Sequence, residues 1–452
     1  MADRKVNHQS DSASCQSSKL YLHLYLSSPS HPQAMMDLSL KHWKRLSRIS
    51  LLAGLLLVSP LTSPTQAVLK DSPKALVDQA WQIVQRNYVD RSFNKQDWIA
   101  VRSQYLQPAY PSTAAAYSAI EKMIGSLGDP YSRFLTPEAL KELTQNVSGD
   151  FVGVGLTVSL DPNTREWVVQ KAFDESPAAI AGLKPQDVIV SLNGKPTPSI
   201  DPSKAGPFLV GPVGSKIAVQ VRRGNENLSY TLVREHINLN PLTYQTVASK
   251  AGKIGYIRLP IFTTKSTDSM KKALSTLESQ QVAGYILDLR GNPGGVLDAG
   301  IAISRMWLSQ GTILSVQERD NPRETVNANG PSLTNKPLVV LIDRQSASAS
   351  EVLSAALQDN KRAVLVGTTT LGKGLVQSFE PLNDNSGVLV TIAKYFTPNG
   401  QNIHKVGIKP NISVEATVEQ PSATEGDRQY QTALETLSQT IQRSASSSGP
   451  KK

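Results

Sequence analysis

A chain of 452 residues with 39% hydrophobic residues and a formal charge of +10 is long enough for two or three separate cores. Residues 1–67 carry seven Lys/Arg against three Asp/Glu, which leaves 40 against 34, or +6, for the remainder. There is no lysine–arginine block and no basic stripe interleaved with aromatics, so nucleic acid is excluded as an expected partner.

Lys41, Lys44, Arg45 and Arg48 precede the apolar run Ile49 to Val58, and Pro60 and the small-residue site Thr65-Gln66-Ala67 follow. The run falls well short of the ~18 residues that span a bilayer and reads as a secretory signal, with a retained amphipathic anchor as the alternative. Residues 1–35 are polar and unlike an n-region, so translation is expected to begin at Met35 or Met36. The sole cysteine, Cys15, lies in that stretch. The mature chain then has no thiol, which fits an exported enzyme that uses neither disulfides nor a cysteine nucleophile.

Ser72-Pro73 opens a predicted helix whose Val77, Trp81, Val84 and Tyr88 share one face. A second helix carries Tyr117, Ile120 and Ile124, and the Asp129-Pro130 turn closes a small helical region. From about Val147 the pattern changes to short strands: Gly155 to Leu160, Trp167 to Lys171, and Asp187 to Leu192 ending in the Asn193-Gly194 turn. Ser176-Pro177 caps a short helix between them, and Lys216 to Arg222 pairs with Leu228 to Arg234 across Gly224-Asn225. This order resembles a bacterial PDZ domain, with Gly153-Val154-Gly155-Leu156 as its carboxylate-binding loop. The N–H groups of such a loop hold a peptide's terminal carboxylate while a strand edge pairs with its backbone. Without that context the loop is only a glycine-rich strand entry.

The remainder alternates strands and helices, which predicts an α/β core: strands at Gly255 to Leu259, Tyr285 to Leu289, Ile313 to Val316, Leu338 to Ile342, Ala363 to Val366 and Val388 to Ala393. Beyond Glu419 the chain is polar and serine-rich apart from a helix over Gln429 to Ile441.

Chemistry concentrates between Asp343 and Gln377. Ser346, Ser348 and Ser350 stand where a buried strand gives way to a helix over Glu351 to Leu357, so Ser348 falls at a helix start whose bare N–H groups would stabilise an oxyanion. Capping is the plainer use of such serines, but capping needs only one of them. Lys373 follows another strand among small residues; desolvation of its amine would leave it neutral and able to take the serine proton, whereas a solvated surface lysine would not. Gln377, four positions on, could orient that amine without adding charge. Of six histidines only His236 and His404 lie beyond the leader, and neither sits in a Gly-x-Ser-x-Gly elbow or a His-Glu-x-x-His helix. A serine–lysine pair is the economical reading. Gly367 to Lys373 fits seven positions of a phosphate-binding P-loop, but Gly374 replaces the Ser or Thr that would bind Mg²⁺.

Ser346 to Glu351, Gly372-Lys373-Gly374 and Gln377 resemble the signature of the C-terminal processing peptidases, also called tail-specific proteases. The resemblance extends through Ala80-Trp81, Tyr88-Val89-Asp90, Asp129 to Leu135, Asp288 to Gly295, Tyr395 to Gly400 and Gly407 to Asn411, and leans to the cyanobacterial and plastid branch that includes the protease trimming a photosystem II reaction-centre precursor. It implies a crotonase/ClpP-like α/β catalytic core with an inserted PDZ domain and an N-terminal helical domain. The segments are then a leader over 1–67, helices over 68–146, PDZ over 147–236, a Ser-Lys peptidase core over 237–420 and a polar tail with one helix over 421–452. It further implies Ser348 as nucleophile, Lys373 as general base, Gln377 as its support, and an oxyanion hole from N–H groups near Gly294 and at Ala349. No metal or organic cofactor is implied. The expected partners are protein or peptide substrates with accessible C-termini, met in the periplasm or thylakoid lumen and near a membrane surface where the substrate is; nothing sets an oligomeric state. Two positions depart from the family pattern: Gln186 where Gly is frequent, and Val210 where an arginine often precedes the Gly-Pro-x-Gly turn and would link PDZ to core. The competing reading is a non-catalytic or auto-inhibited PDZ adaptor that retains the peptidase fold.

Overall fold

The structure, a computed structural model, describes residues 72–161, 164–173, 175–200, 208–238, 241–417 and 423–447. The expected signal segment, Cys15 and both candidate start codons lie outside them. In chain order come α1 (Pro73–Asn87), α2 (Trp98–Leu106), α3 (Thr113–Gly125), β1 (Arg133–Leu135) and α4 (Pro137–Ser148). Next are β2 (Asp150–Gly153), β3 (Leu156–Leu160), β4 (Trp167–Ala172), α5 (Pro177–Ile180), β5 (Val188–Leu192), β6 (Lys195–Pro196), β7 (Lys216–Arg223), β8 (Glu226–Val233) and β9 (Glu235–Asn238). The last stretch holds β10 (Thr243–Ser249), β11 (Gly252–Arg258), α6 (Ser266–Ser279), β12 (Gly284–Asp288), α7 (Leu297–Trp307), β13 (Thr312–Glu318), β14 (Glu324–Asn327) and β15 (Leu338–Ile342). It ends with α8 (Ala349–Asp359), β16 (Val364–Gly367), β17 (Leu375–Pro381), β18 (Gly387–Phe396), β19 (Ile412–Ser413) and α9 (Arg428–Ser447).

These elements form two compact units. The first takes the described residues up to Leu140, Gln317–Pro322 and Leu375–Lys394. Its helices start where the sequence signals a cap: the Ser72 side chain accepts from the Ala75 N–H and Pro73 takes the first helical position. Val77, Ala80, Trp81 and Val84 of α1 pack with Ile120, Met123 and Ile124 of α3. Val388 and Val390 of β18 join this cluster, and β18 pairs antiparallel with β1 and β17.

The second unit holds Lys141–Val316, Arg323–Gly374 and Tyr395–Lys452. Within it β3, β4, β5, β7 and β8 form an antiparallel sheet in that order, with β6 on β5, around Val154, Trp167, Val169, Ile189, Ile217, Val219 and Val221. The alternating burial of β7 buries one face of this sheet and wets the other, as an antiparallel sheet allows. A second sheet runs β10-β11-β12-β15-β16-β19. It is parallel except for β10, and every residue of β12 and β15 is buried. Such continuous apolar runs are what a parallel sheet covered on both faces requires. On one face lie Tyr430, Ala433 and Leu437 of α9, packed on Tyr256, Ile286 and Val339. Toward the other, Gly255 leaves room for Leu277 of α6, where an added Cβ would come within 3.0 Å of its Cδ1.

The helix expected over Gln429 to Ile441 within the polar tail is present, and it covers one face of the sheet. Leu437 is fully buried there, so Leu437→Ala is expected to cost about 2–5 kcal/mol, seen as a lower urea midpoint of the purified protein.

Candidate active site

Three strands that are neighbours in the parallel sheet, β12, β15 and β16, end at the same edge, and the segments leaving them carry the expected chemistry. The carboxyl ends of parallel strands are where an α/β sheet places its ligands. β12 feeds the turn Leu289 to Gly295, β15 feeds Asp343 to Ser348, and β16 feeds Thr368 to Gly374.

The three serines are sorted by burial. Ser346 is fully buried: its hydroxyl donates to the Leu289 carbonyl at 2.8 Å and accepts from the Asp343 N–H at 3.0 Å. Ser350 is also buried, donating to the Asn292 carbonyl at 3.0 Å. Both tie the β15 segment to the β12 turn, and the Ala347 N–H adds a third tie to the Asn292 carbonyl. Ser348 alone is partly exposed. It stands immediately before α8, at φ 55° and ψ −116°, a backbone conformation that costs a non-glycine residue about 1–3 kcal/mol. The expected helix start at Glu351 is two residues late: α8 begins at Ala349, whose N–H belongs to the first turn and has no intrahelical acceptor.

The strain at Ser348 is held by a residue to which sequence reasoning assigned no role. Glu351 is fully buried, and its carboxylate takes four hydrogen bonds. Oε2 accepts from the Ser348 N–H and the Lys373 N–H, each at 2.8 Å. Oε1 accepts from the Gly372 N–H at 2.7 Å and the Thr370 hydroxyl at 2.6 Å. One oxygen therefore places the backbone nitrogens of Ser348 and Lys373 within 5.6 Å of each other, twice 2.8 Å. The Ser-x-x-Glu spacing of a capping box was the signal available in the sequence; the lysine's share in it was not.

Gly294 closes the site from the β12 turn. At φ 99° it lies so close that an added Cβ would stand 2.7 Å from the Ala347 carbonyl and the Ser348 Cβ and 3.1 Å from the Ala349 nitrogen. The structure thus brings together Gly294, Ser348, Ala349 and Lys373. The Gly294 N–H itself donates to Asn292 Oδ1 at 2.8 Å, so serving an oxyanion requires it to exchange that acceptor. Gln377 belongs to the first unit, where it is buried and its Nε2 donates to Thr391 Oγ1 at 3.4 Å.

Beneath the turn, Arg290 is 1% exposed between two fully buried aspartates. Its Nε and Nη2 donate to Asp288 at 2.9 and 2.7 Å, and its Nη1 donates to Asp427 at 2.9 Å and Gln429 at 3.1 Å. Burial alone would lower the guanidinium pKa, but the hydrogen bonds and charge of Asp288, then of Asp427, outweigh it and raise it. Tyr256, which donates to Asp288 at 2.7 Å, is raised by burial first and then by the Asp288 charge.

The Gly367 to Lys373 segment runs on into strand β17 rather than a helix, so it lacks the helix N-terminus on which a P-loop seats its phosphates. His404 comes close to the lysine segment: a Cβ on Gly374 would lie 2.8 Å from its backbone nitrogen. His236 sits on β9. Among the described residues no group of three or more His, Cys, Asp or Glu could hold a metal ion. In the loop expected to bind carboxylates, the Val154 N–H donates to the Leu209 carbonyl at 3.2 Å, and Gly155, at φ 76°, packs against Ser176. Gly153 bridges to Val210, Arg234 braces that segment by donating to the Phe208 carbonyl at 2.6 Å, and Leu156 is the first residue of β3.

Residues 253–414 match the model of peptidase family S41 and residues 171–223 that of a PDZ domain. A carboxyl-terminal-processing protease of Synechocystis sp. is 39% identical over 407 residues, covering 87% of this chain and 94% of that protein. A chloroplastic C-terminal processing peptidase of Tetradesmus obliquus is 36% identical over 371 residues, covering 78% of this chain and 80% of that one. Among solved structures, a photosystem II D1 C-terminal processing protease matches with a TM-score of 0.54 at 35% identity, covering 82% of this chain and 97% of that one.

Two substitutions test the geometry. Glu351→Gln turns N–H donors toward N–H donors in a closed space and is expected to lower kcat by at least a hundredfold, with about 1–3 kcal/mol of stability lost. Gly294→Ala drives a methyl into Ser348 and is expected to abolish turnover while circular dichroism stays native.

Proposed function

The chain belongs to peptidase family S41, whose members are serine-type peptidases, and on that premise we propose that it captures the carboxyl terminus of a protein substrate on its PDZ domain and cleaves a peptide bond upstream of it with a Ser348–Lys373 pair. The observation that carries this reading is the single carboxylate oxygen of Glu351 that binds the N–H groups of both residues. Ser348 Oγ attacks the scissile carbonyl carbon as Lys373 Nζ takes its proton. The resulting oxyanion is received by the Ala349 N–H, together with an N–H of the Gly294 turn once Asn292 has released it. Collapse breaks the C–N bond, and Lys373 returns the proton to the leaving amine. A water, deprotonated by the same lysine, then attacks the acyl-serine; the acyl–Oγ bond breaks, the lysine returns the proton to Ser348 Oγ, and the new carboxyl terminus is released. Gln377 is assigned the support of the lysine by family resemblance. Gly153, Val154, Gly155 and Leu156 are assigned the substrate carboxylate on the same ground.

A photosystem II reaction-centre precursor is the proposed natural substrate, because D1 C-terminal processing names a solved structure to which this chain is 35% identical. Export to the periplasm or the thylakoid lumen fits both that substrate and the leader sequence. The competing reading, a non-catalytic or auto-inhibited PDZ adaptor that retains the peptidase fold, predicts binding without turnover in the experiment that follows.

In a gel assay on an unfolded protein with an apolar carboxyl terminus, Ser348→Ala and Lys373→Ala are each expected to abolish cleavage without changing the fold. His404→Ala is the control for a histidine base, suggested by its closeness to Gly374, and is expected to retain cleavage. Activity in Ser348→Ala or Lys373→Ala would refute the pair.

A further inference from the structure

The carbonyl groups of the two catalytic residues meet at a second buried side chain, Tyr395. It is 2% exposed, its N–H donates to the Gly374 carbonyl at 3.2 Å, and its hydroxyl donates to the Lys373 carbonyl. The same oxygen stands 3.2 Å from the Ser348 carbonyl oxygen. That second carbonyl already accepts from the Glu351 and Val352 N–H groups at 2.8 and 3.0 Å, so the phenol's one proton serves mainly Lys373.

The direction of a Cα–Cβ bond is set by the peptide planes on either side of it, since those planes are rigid. At Lys373 the preceding plane is held through its N–H by Glu351, and the following plane through its C=O by Tyr395. At Ser348 the preceding plane is held by the same glutamate, and the following plane by the start of α8 with Tyr395 against it. The two side chains thus grip opposite ends of the same two residues. Glu351 takes the pair of N–H groups, and Tyr395 meets the pair of C=O groups.

The geometry points to Tyr395 as a positioning residue for the peptidase reaction: its hydroxyl fixes the backbone of Lys373 relative to Ser348, so that amine and hydroxyl are presented to each other before substrate arrives. The inference rests on the Ser348–Lys373 reading above. Misplacement of reacting groups by about 1 Å costs on the order of a hundredfold in rate. Loss of this hydroxyl is therefore expected in kcat rather than in substrate binding.

Tyr395→Phe keeps the ring and its packing and removes only the hydroxyl. Tyr285→Phe is the matched control: Tyr285 is fully buried and donates to Glu278 Oε1 at 2.7 Å, away from the two catalytic carbonyls. With a fluorogenic peptide ending in apolar residues, Tyr395→Phe is expected to lower kcat tenfold or more and to change KM less than threefold. Its urea midpoint should be no lower than that of Tyr285→Phe, which should keep wild-type kcat. The pH–kcat/KM profile of Tyr395→Phe should also shift its acid limb, because the base is displaced. A kcat loss under tenfold, or a loss matched by Tyr285→Phe, overturns the inference. A dead Ser348→Ala beside a fully active Tyr395→Phe overturns it alone, whereas an active Ser348→Ala overturns the catalytic pair and the inference with it.

Discussion

One buried carboxylate organises the site. Glu351 accepts four hydrogen bonds from donors contributed by the start of α8 and by the segment after β16. A buried polar group is costly unless its lone pairs are filled, and here they are filled by the backbone N–H groups of Ser348, Gly372 and Lys373 and by the Thr370 hydroxyl. The requirement that Glu351 be satisfied is therefore also the requirement that Ser348 and Lys373 be neighbours. Any loosening of the lysine segment leaves a buried carboxyl group with missing partners, and such a penalty keeps a strained serine in place.

The sheet makes this arrangement possible. Three adjacent parallel strands deliver three loops to one edge, and the cross-ties among them are short and local to that edge. Ser346 and Ser350 bind the first loop to the second. Leu371, through its N–H to the Ser346 carbonyl, binds the third to the second. The serines flanking Ser348 are thus joints between loops, which explains a run of three where a cap needs one.

What was legible in the sequence is what local chemistry dictates. The apolar run of β15, the Ser72-Pro73 helix start, the Gly224-Asn225 hairpin and the junction at Ser348 each announce themselves within a few residues, and each is present. The peptidase family and its PDZ insertion were legible for a related reason: their motifs are short and carry chemistry. Other elements gave no such signal. In α2 only Trp98 is buried, so no apolar stripe marks it, and β10 is a mostly exposed edge strand. The ties of Glu351 to Lys373, Tyr395 to Lys373 and Arg290 to Asp427 span 22, 22 and 137 positions, and no periodicity or spacing rule reaches across a fold. Asn292 was read as part of a turn, and its hold on the Gly294 N–H depends on a side-chain rotamer that sequence does not specify.

The long reach of Arg290 bears on how the protein matures. Arg290, in the turn after β12, meets Asp288 two positions away but waits for Asp427, which leaves the ribosome 137 residues later, on the order of ten seconds at ordinary synthesis rates. Until then its guanidinium has half its counter-charge and the sheet lacks the cover of α9. The turn that leads to Gly294 is therefore completed only when residues far downstream in the chain have folded back onto it.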